Sequence, residues 1–156
     1  MIGMNCGEYF KKSMQNNDRV RENTAPAINE KIDDSIHKEL NHYYNDPFAI
    51  EQRLKQLEKE WDIERMIELN AAAIGLTGVL LSLAGNRKWL LLPLAVTGFL
   101  AQHAVQGWCP PVTLFRRLGI RTRKEIDKEK YALKALRGDF KYLIDVPNVA
   151  WNAVNK

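Results

Sequence analysis

Two apolar runs lie back to back near the centre of this chain, and they limit its possible folds more than any other feature. No charged side chain occurs between Asn70 and Asn86, and from Trp89 to Val112 the only ionisable groups are His103 and Cys109. The first run extends from about Met66 to Ala84; the second, WLLLPLAVTGFLAQHAVQGW, covers residues 89–108. At a helical rise of about 1.5 Å per residue, each spans roughly 30 Å, the thickness of a hydrocarbon core. Gly85 is suited to close the first helix, and Asn86-Arg87-Lys88 to turn the chain. The pattern predicts an all-α protein built on a two-helix transmembrane hairpin flanked by amphipathic cytosolic helices.

The alternative, two core helices of a soluble bundle, fits less well. Neither run carries a polar stripe on its outer half, and Trp89 and Trp108 bracket the second run like the aromatic belts of membrane interfaces. Small residues recur at packing intervals: Ala71, Gly75, Gly78 and Ser82 on the first run, and Ala95, Gly98 and Ala101 on the second. Such faces let helices approach closely in lipid, so these seven are the expected helix-packing residues.

Composition alone would hide this. Of 156 residues, 46% are hydrophobic and 27% charged, as in an ordinary soluble protein, but apart from Glu68, Arg87 and Lys88 the charge is segregated into residues 8–65 and the region from Arg116 onward. The net charge of +4 is modest, and the densest basic stretch, Arg116 to Lys130, directly follows the apolar region. That placement suits anionic headgroups, so the expected partner is a lipid bilayer rather than nucleic acid. Arg116, Arg117, Arg121 and Arg123 are the candidates for headgroup contact. Two cysteines, Cys6 and Cys109, make no disulfide framework, and the opening MIGMNCGEYFKK lacks the layout of a secretory signal. The polar parts are therefore expected in the cytosol.

Residues 1–25 read as a loose tail. Residues 26–65 read as two amphipathic helices: Ile28, Ile32, Ile36, Leu40 and Tyr43 mark the first, and Ile50, Leu54, Leu57 and Trp61 the second. Asp46 and Pro47 start the second helix as cap and first residue, and with no breaker after Trp61 it is expected to run on into the membrane. Its narrow seam suits packing on the preceding helix, or a dimer contact. The hairpin occupies residues 66–108. Cys109-Pro110-Pro111 is expected to end its second helix, with 109–121 lying in the interface. In 122–156, Thr122 and Glu125 form a capping box for a last helix, stopped by Gly138, with a tail carrying Val146, Pro147 and Trp151. Its expected apolar face is Ile126, Leu133, Leu136 and Phe140. Basic residues cluster on both flanks of the hairpin and are few in its turn, which predicts both termini on the cytoplasmic side.

The stretch from Glu64-Arg65 through the apolar runs to Gly107-Trp108-Cys109-Pro110 and Leu118-Gly119-Ile120 resembles the YgaP-like transmembrane domain family. The resemblance covers about a third of the chain and rests on the G-x-C-P and L-G-I pieces. It implies a bacterial inner-membrane location and self-association through the helices. Some members of that family are fused to a rhodanese, a sulfurtransferase; this sequence shows no catalytic loop of that kind, so the activity is not carried over.

Folding the hairpin about Arg87 gathers Glu68, Asn70, Gln102, His103 and Gln106 near one mouth, with Cys109 beside them. Polar groups at that depth need partners. They can satisfy one another and anchor the hairpin, or form a small site with Glu68 paired to His103. Cys109 is the candidate thiol: a helix C-terminus would raise its pKa, and nearby arginines would lower it. No catalytic set, metal site or cofactor motif is legible. The sequence points to a non-enzymatic, self-associating membrane anchor that docks a cytosolic partner. A thiol-dependent sulfur or redox protein using Cys109 near His103 is the alternative.

Overall fold

The computed structural model describes residues 18–141. Among them the chain is all helical: α1 (Arg19–Glu22), α2 (Pro26–Tyr43), α3 (Pro47–Lys59), α4 (Ile63–Ala84), a 3-10 turn (Arg87–Leu90), α5 (Leu91–Gln106), α6 (Pro110–Arg117) and α7 (Arg123–Arg137). Cys6, Val146, Pro147 and Trp151 lie outside the described residues. Two compact units are formed from pieces remote in sequence. One holds residues 26–65 and 119–141, the other 18–25 and 66–118.

In the first unit, α2, α3 and α7 surround Ile50, Leu54, Leu57, Ile126 and Leu133, with Leu40 and Tyr43 packed against that cluster. The narrow seam of α3 is thus used within the chain. Asp46 caps α3 through its carboxylate, which accepts from the N–H groups of Phe48 and Ala49 at 3.0 Å each. The capping box of α7 forms with both partners buried: the Thr122 hydroxyl accepts from the Glu125 N–H at 3.3 Å, and the Glu125 carboxylate accepts from the Thr122 N–H at 2.8 Å. Thr122→Ala removes one of these bonds and should lower the melting stability of this unit by about 1 kcal/mol in a denaturant titration. The apolar face of α7 is shorter than its spacing suggested: Ile126 and Leu133 are buried, but Leu136 is exposed.

The expected continuous helix through Trp61 is broken. Helix α3 stops at Lys59, Glu60 adopts an extended conformation, and Asp62 starts α4 by accepting from the Arg65 N–H at 2.8 Å. The break has a polar cause. Arg121 forks onto the Glu60 carboxylate, with Nε donating at 2.7 Å, while its own carbonyl accepts from the Ile63 N–H at 3.0 Å. Trp61 falls in the break, and the Arg65 guanidinium sits 4.3 Å from its ring centroid.

The second unit contains the apolar runs. Pro47–Ala84 and Arg87–Gln106 each include an 18-residue stretch long and apolar enough to cross a membrane. Only 11% of the first stretch and 0% of the second is buried. Gly78 marks where they meet: a Cβ there would lie 2.6 Å from Pro93 Cδ and 3.1 Å from Leu92 Cβ. Asn86 caps the intervening 3-10 turn by accepting from the Lys88 N–H at 2.9 Å. Pro110 and Pro111 do not terminate α5. It ends at Gln106, with Gly107 left-handed at φ 73°, and the two prolines occupy the first turn of α6, where their missing N–H groups cost nothing.

Candidate functional site: the polar end of the apolar helices

Helix α5 ends with carbonyl groups that its own backbone cannot satisfy. Residues 18–25 supply the donors. The Arg19 guanidinium donates to the Ala104 carbonyl and, at 3.4 Å, to that of Val105; the Asn23 amide donates to the Gln106 carbonyl at 3.0 Å. A cation at a helix C-terminus also meets the negative end of the helix dipole. The same segment reaches α6. Thr24 Oγ1 donates to the Val20 carbonyl at 2.6 Å and accepts from Arg116 Nε at 3.2 Å. Gly107 makes the close approach possible, since a Cβ there would fall 2.4 Å from Arg19 Cβ and 2.7 Å from the Arg19 carbonyl carbon.

Residues 18–25 are therefore a docked segment rather than part of a loose tail. The sequence carried a faint signal: Asp18 precedes Arg-Val-Arg-Glu as a cap, and its carboxylate accepts from the N–H groups of Val20 and Arg21 at 3.1 and 3.2 Å. One turn of helix is too short to show periodicity, so the roles of Arg19 and Asn23 were not legible.

The expected mouth residues are brought together only in part. Asn70 donates to the Met66 carbonyl of its own helix at 2.7 Å and lines a cavity beside Cys109. Gln102 and Gln106 stand one turn apart on α5, their amides 3.5 Å apart. The Nδ1 atom of His103 is buried and has no hydrogen-bond partner among the described residues. Glu68 is exposed, and no hydrogen bond or ion pair joins it to His103 among the described residues. No hydrogen bond joins Cys109 to His103 either. The Cys109 side chain is 2% exposed, and burial pushes its thiol above the ordinary range, against a smaller opposing pull from the Val112 N–H. Among the described residues no three His, Cys, Asp or Glu side chains are grouped to hold a metal ion.

Two of the four arginines expected at headgroups are elsewhere. Arg116 is 1% exposed, because the helical repeat of α6 turns it inward with Val112 toward Thr24. Arg121 is buried in the other unit, paired with Glu60 and Glu129. Burial works against its charge, yet the two carboxylates outweigh that and raise its pKa. Glu129, fully buried, takes Arg121 on one oxygen and Arg53 on the other, the latter at 2.8 Å. Arg117 stays exposed, and Arg123 makes an exposed ion pair with Asp127 at 3.4 Å. Of the small residues, Gly78 is packed inside, Ala71 lines the cavity and Ser82 is half-buried; Ala95, Gly98 and Ala101 face outward. A Cβ at Gly75 or Gly98 would meet nothing within 4 Å.

Comparison of the chain with protein-family models, with curated proteins and with solved structures finds no match.

Proposed function

We propose that this chain is an integral membrane protein that acts as a self-associating anchor, with α4 and α5 crossing the bilayer as a hairpin and a folded helical unit docking a cytosolic partner. One observation carries the reading: the two most apolar stretches of the chain are 11% and 0% buried. Core helices of a soluble protein bury their apolar side chains. Here Leu76, Leu80, Leu83, Leu91 and Leu94 are all more than half exposed, which in water would form a continuous sticky surface. In a bilayer the same surface is solvated by acyl chains. The preponderance of basic residues on the flanks supports both termini in the cytoplasm, and the resemblance to the YgaP-like family supports a bacterial inner membrane.

Self-association is assigned to the outward small face of α5. Ala95, Gly98 and Ala101 are exposed, and a Cβ at Gly98 would meet nothing within 4 Å among the described residues. On the partner-docking unit, Tyr44 and Phe48 stand 62% and 70% exposed at the turn between α2 and α3, the kind of aromatic pair that anchors protein contacts. Burial of Cys109, which raises its thiol pKa, and the lack of a hydrogen bond from it to His103 weigh against the thiol chemistry that was the alternative.

The test is Gly98→Leu in the purified full chain. Because Gly98 is exposed and a Cβ there would have open space among the described residues, the fold should be retained. The oligomer should weaken by about 1–3 kcal/mol, on the order of tenfold or more in dissociation constant, by analytical ultracentrifugation in detergent. An oligomer of unchanged strength would remove self-association through this face.

A further inference from the structure

A groove of about 70 Å³ lies where α4, α5 and the start of α6 meet, lined by Ile67, Ala71, Ile74, Val96, Leu100 and Cys109 among others. We propose that this groove seats one acyl chain of a bilayer phospholipid, an inference that rests on the membrane reading above.

Its size and lining select the occupant. Small-molecule and cofactor sites usually enclose about 300–1,000 Å³, far more than is present, whereas a few methylenes of a single chain fit. Water needs two to four polar partners. The lining offers few such partners: its one amide is that of Asn70, and one of that amide's two N–H groups already donates to the Met66 carbonyl. The face proposed above for a second copy, centred on Gly98, is not part of the groove lining. On the membrane reading the groove opens toward one end of the spans. Ile67, Asn70, Cys109 and Pro111 stand at the ends of the spans, where an acyl chain begins beneath its headgroup. From Pro111 the apolar track continues along α6 through Leu114 and Leu118, 57% and 69% exposed at helical spacing, with exposed Arg117 beside them for the phosphate. Lipid tails are as apolar as leucine, so seating one gains packing rather than hydrophobic energy, and the expected preference is several-fold.

The full chain is reconstituted into vesicles of phosphatidylethanolamine and phosphatidylglycerol carrying a trace of phosphatidylethanolamine with a diazirine on its acyl chain. After photolysis, mass spectrometry should find several-fold more adduct at Ile67, Ile74 and Leu100 than at the outward Leu83 and Leu94. Ala71→Phe, which fills the groove, should remove that excess and leave Leu83 and Leu94 unchanged. Equal yields at all five positions overturn the acyl seat but leave the membrane reading intact; absence of adducts at Leu83 and Leu94 as well counts against the membrane reading itself. Should Ala71→Phe fail to fold, Val96→Phe, at another lining position on α5, replaces it, and an excess at Ile67, Ile74 and Leu100 that survives this substitution overturns the proposal.

Discussion

Glu129→Ala should unfold the helical unit of α2, α3 and α7 while leaving the apolar helices in place. The Glu129 carboxylate is fully buried and holds two arginines, Arg53 and Arg121, one on each oxygen. Removing one partner of a buried ion pair leaves uncompensated charge in a poorly polarisable surrounding and costs about 3–5 kcal/mol. Here two guanidinium groups lose a partner at once, although Arg121 keeps the Glu60 fork and Arg53 lies 3.9 Å from Glu39. Domains as a class are stable by only about 5–15 kcal/mol, and a unit this small belongs near the lower end. Thermal unfolding in detergent, followed by limited proteolysis of residues 26–65, should show the loss. Glu51→Ala provides the contrast. That side chain pairs with Lys55 on an exposed helix face, and the melting curve should not move.

Gly107→Ala should release residues 18–25 from the end of α5. Two effects combine there. The residue sits at φ 73°, which costs an L-amino acid about 1–2 kcal/mol. The new methyl would also meet Arg19 Cβ at 2.4 Å and Arg19 backbone atoms within 3 Å, so the segment itself must shift. When it does, the carbonyls of Ala104, Val105 and Gln106 lose the donors that Arg19 and Asn23 supply. Trypsin should then cut after Arg19 and Arg21 much faster than in the parent chain, with a matching loss of amide protection over 18–25. Gly119→Ala separates the two effects. Gly119 shares the left-handed conformation at φ 84° but has open space around it, so the backbone penalty alone should appear and the segment should stay docked.

These residues also show where sequence reading succeeded and where it stopped. Local rules were enough for the caps. Asp46-Pro47, Thr122 with Glu125, and Gly138 each act within one turn, and their partners are a few residues away. Length and the absence of charge were enough for the two long apolar helices. What escaped was pairing across long sequence separations. Arg121 read as one more basic residue after an apolar run, yet it meets Glu60, 61 positions earlier, and by doing so breaks the helix that periodicity alone carried through Trp61. Arg19 and Asn23 read as a polar tail because their partners, the carbonyls of α5, lie more than 80 residues on and have no side-chain signature. The prolines after Cys109 fit either the end of one helix or the start of the next, and only the left-handed turn at Gly107 decides between them.

The central claim is that the exposed apolar surface of α4 and α5 faces lipid. Single cysteines in the Cys6→Ser, Cys109→Ser background test it in intact cell membranes. Leu80 and Leu94 are 55% and 68% exposed among the described residues. Leu80→Cys and Leu94→Cys should resist a membrane-impermeant maleimide until detergent is added, whereas Arg87→Cys, in the turn, should react from one side of the membrane. Labelling of Leu80→Cys and Leu94→Cys at the same rate as Arg87→Cys would place those helices in water and contradict the account.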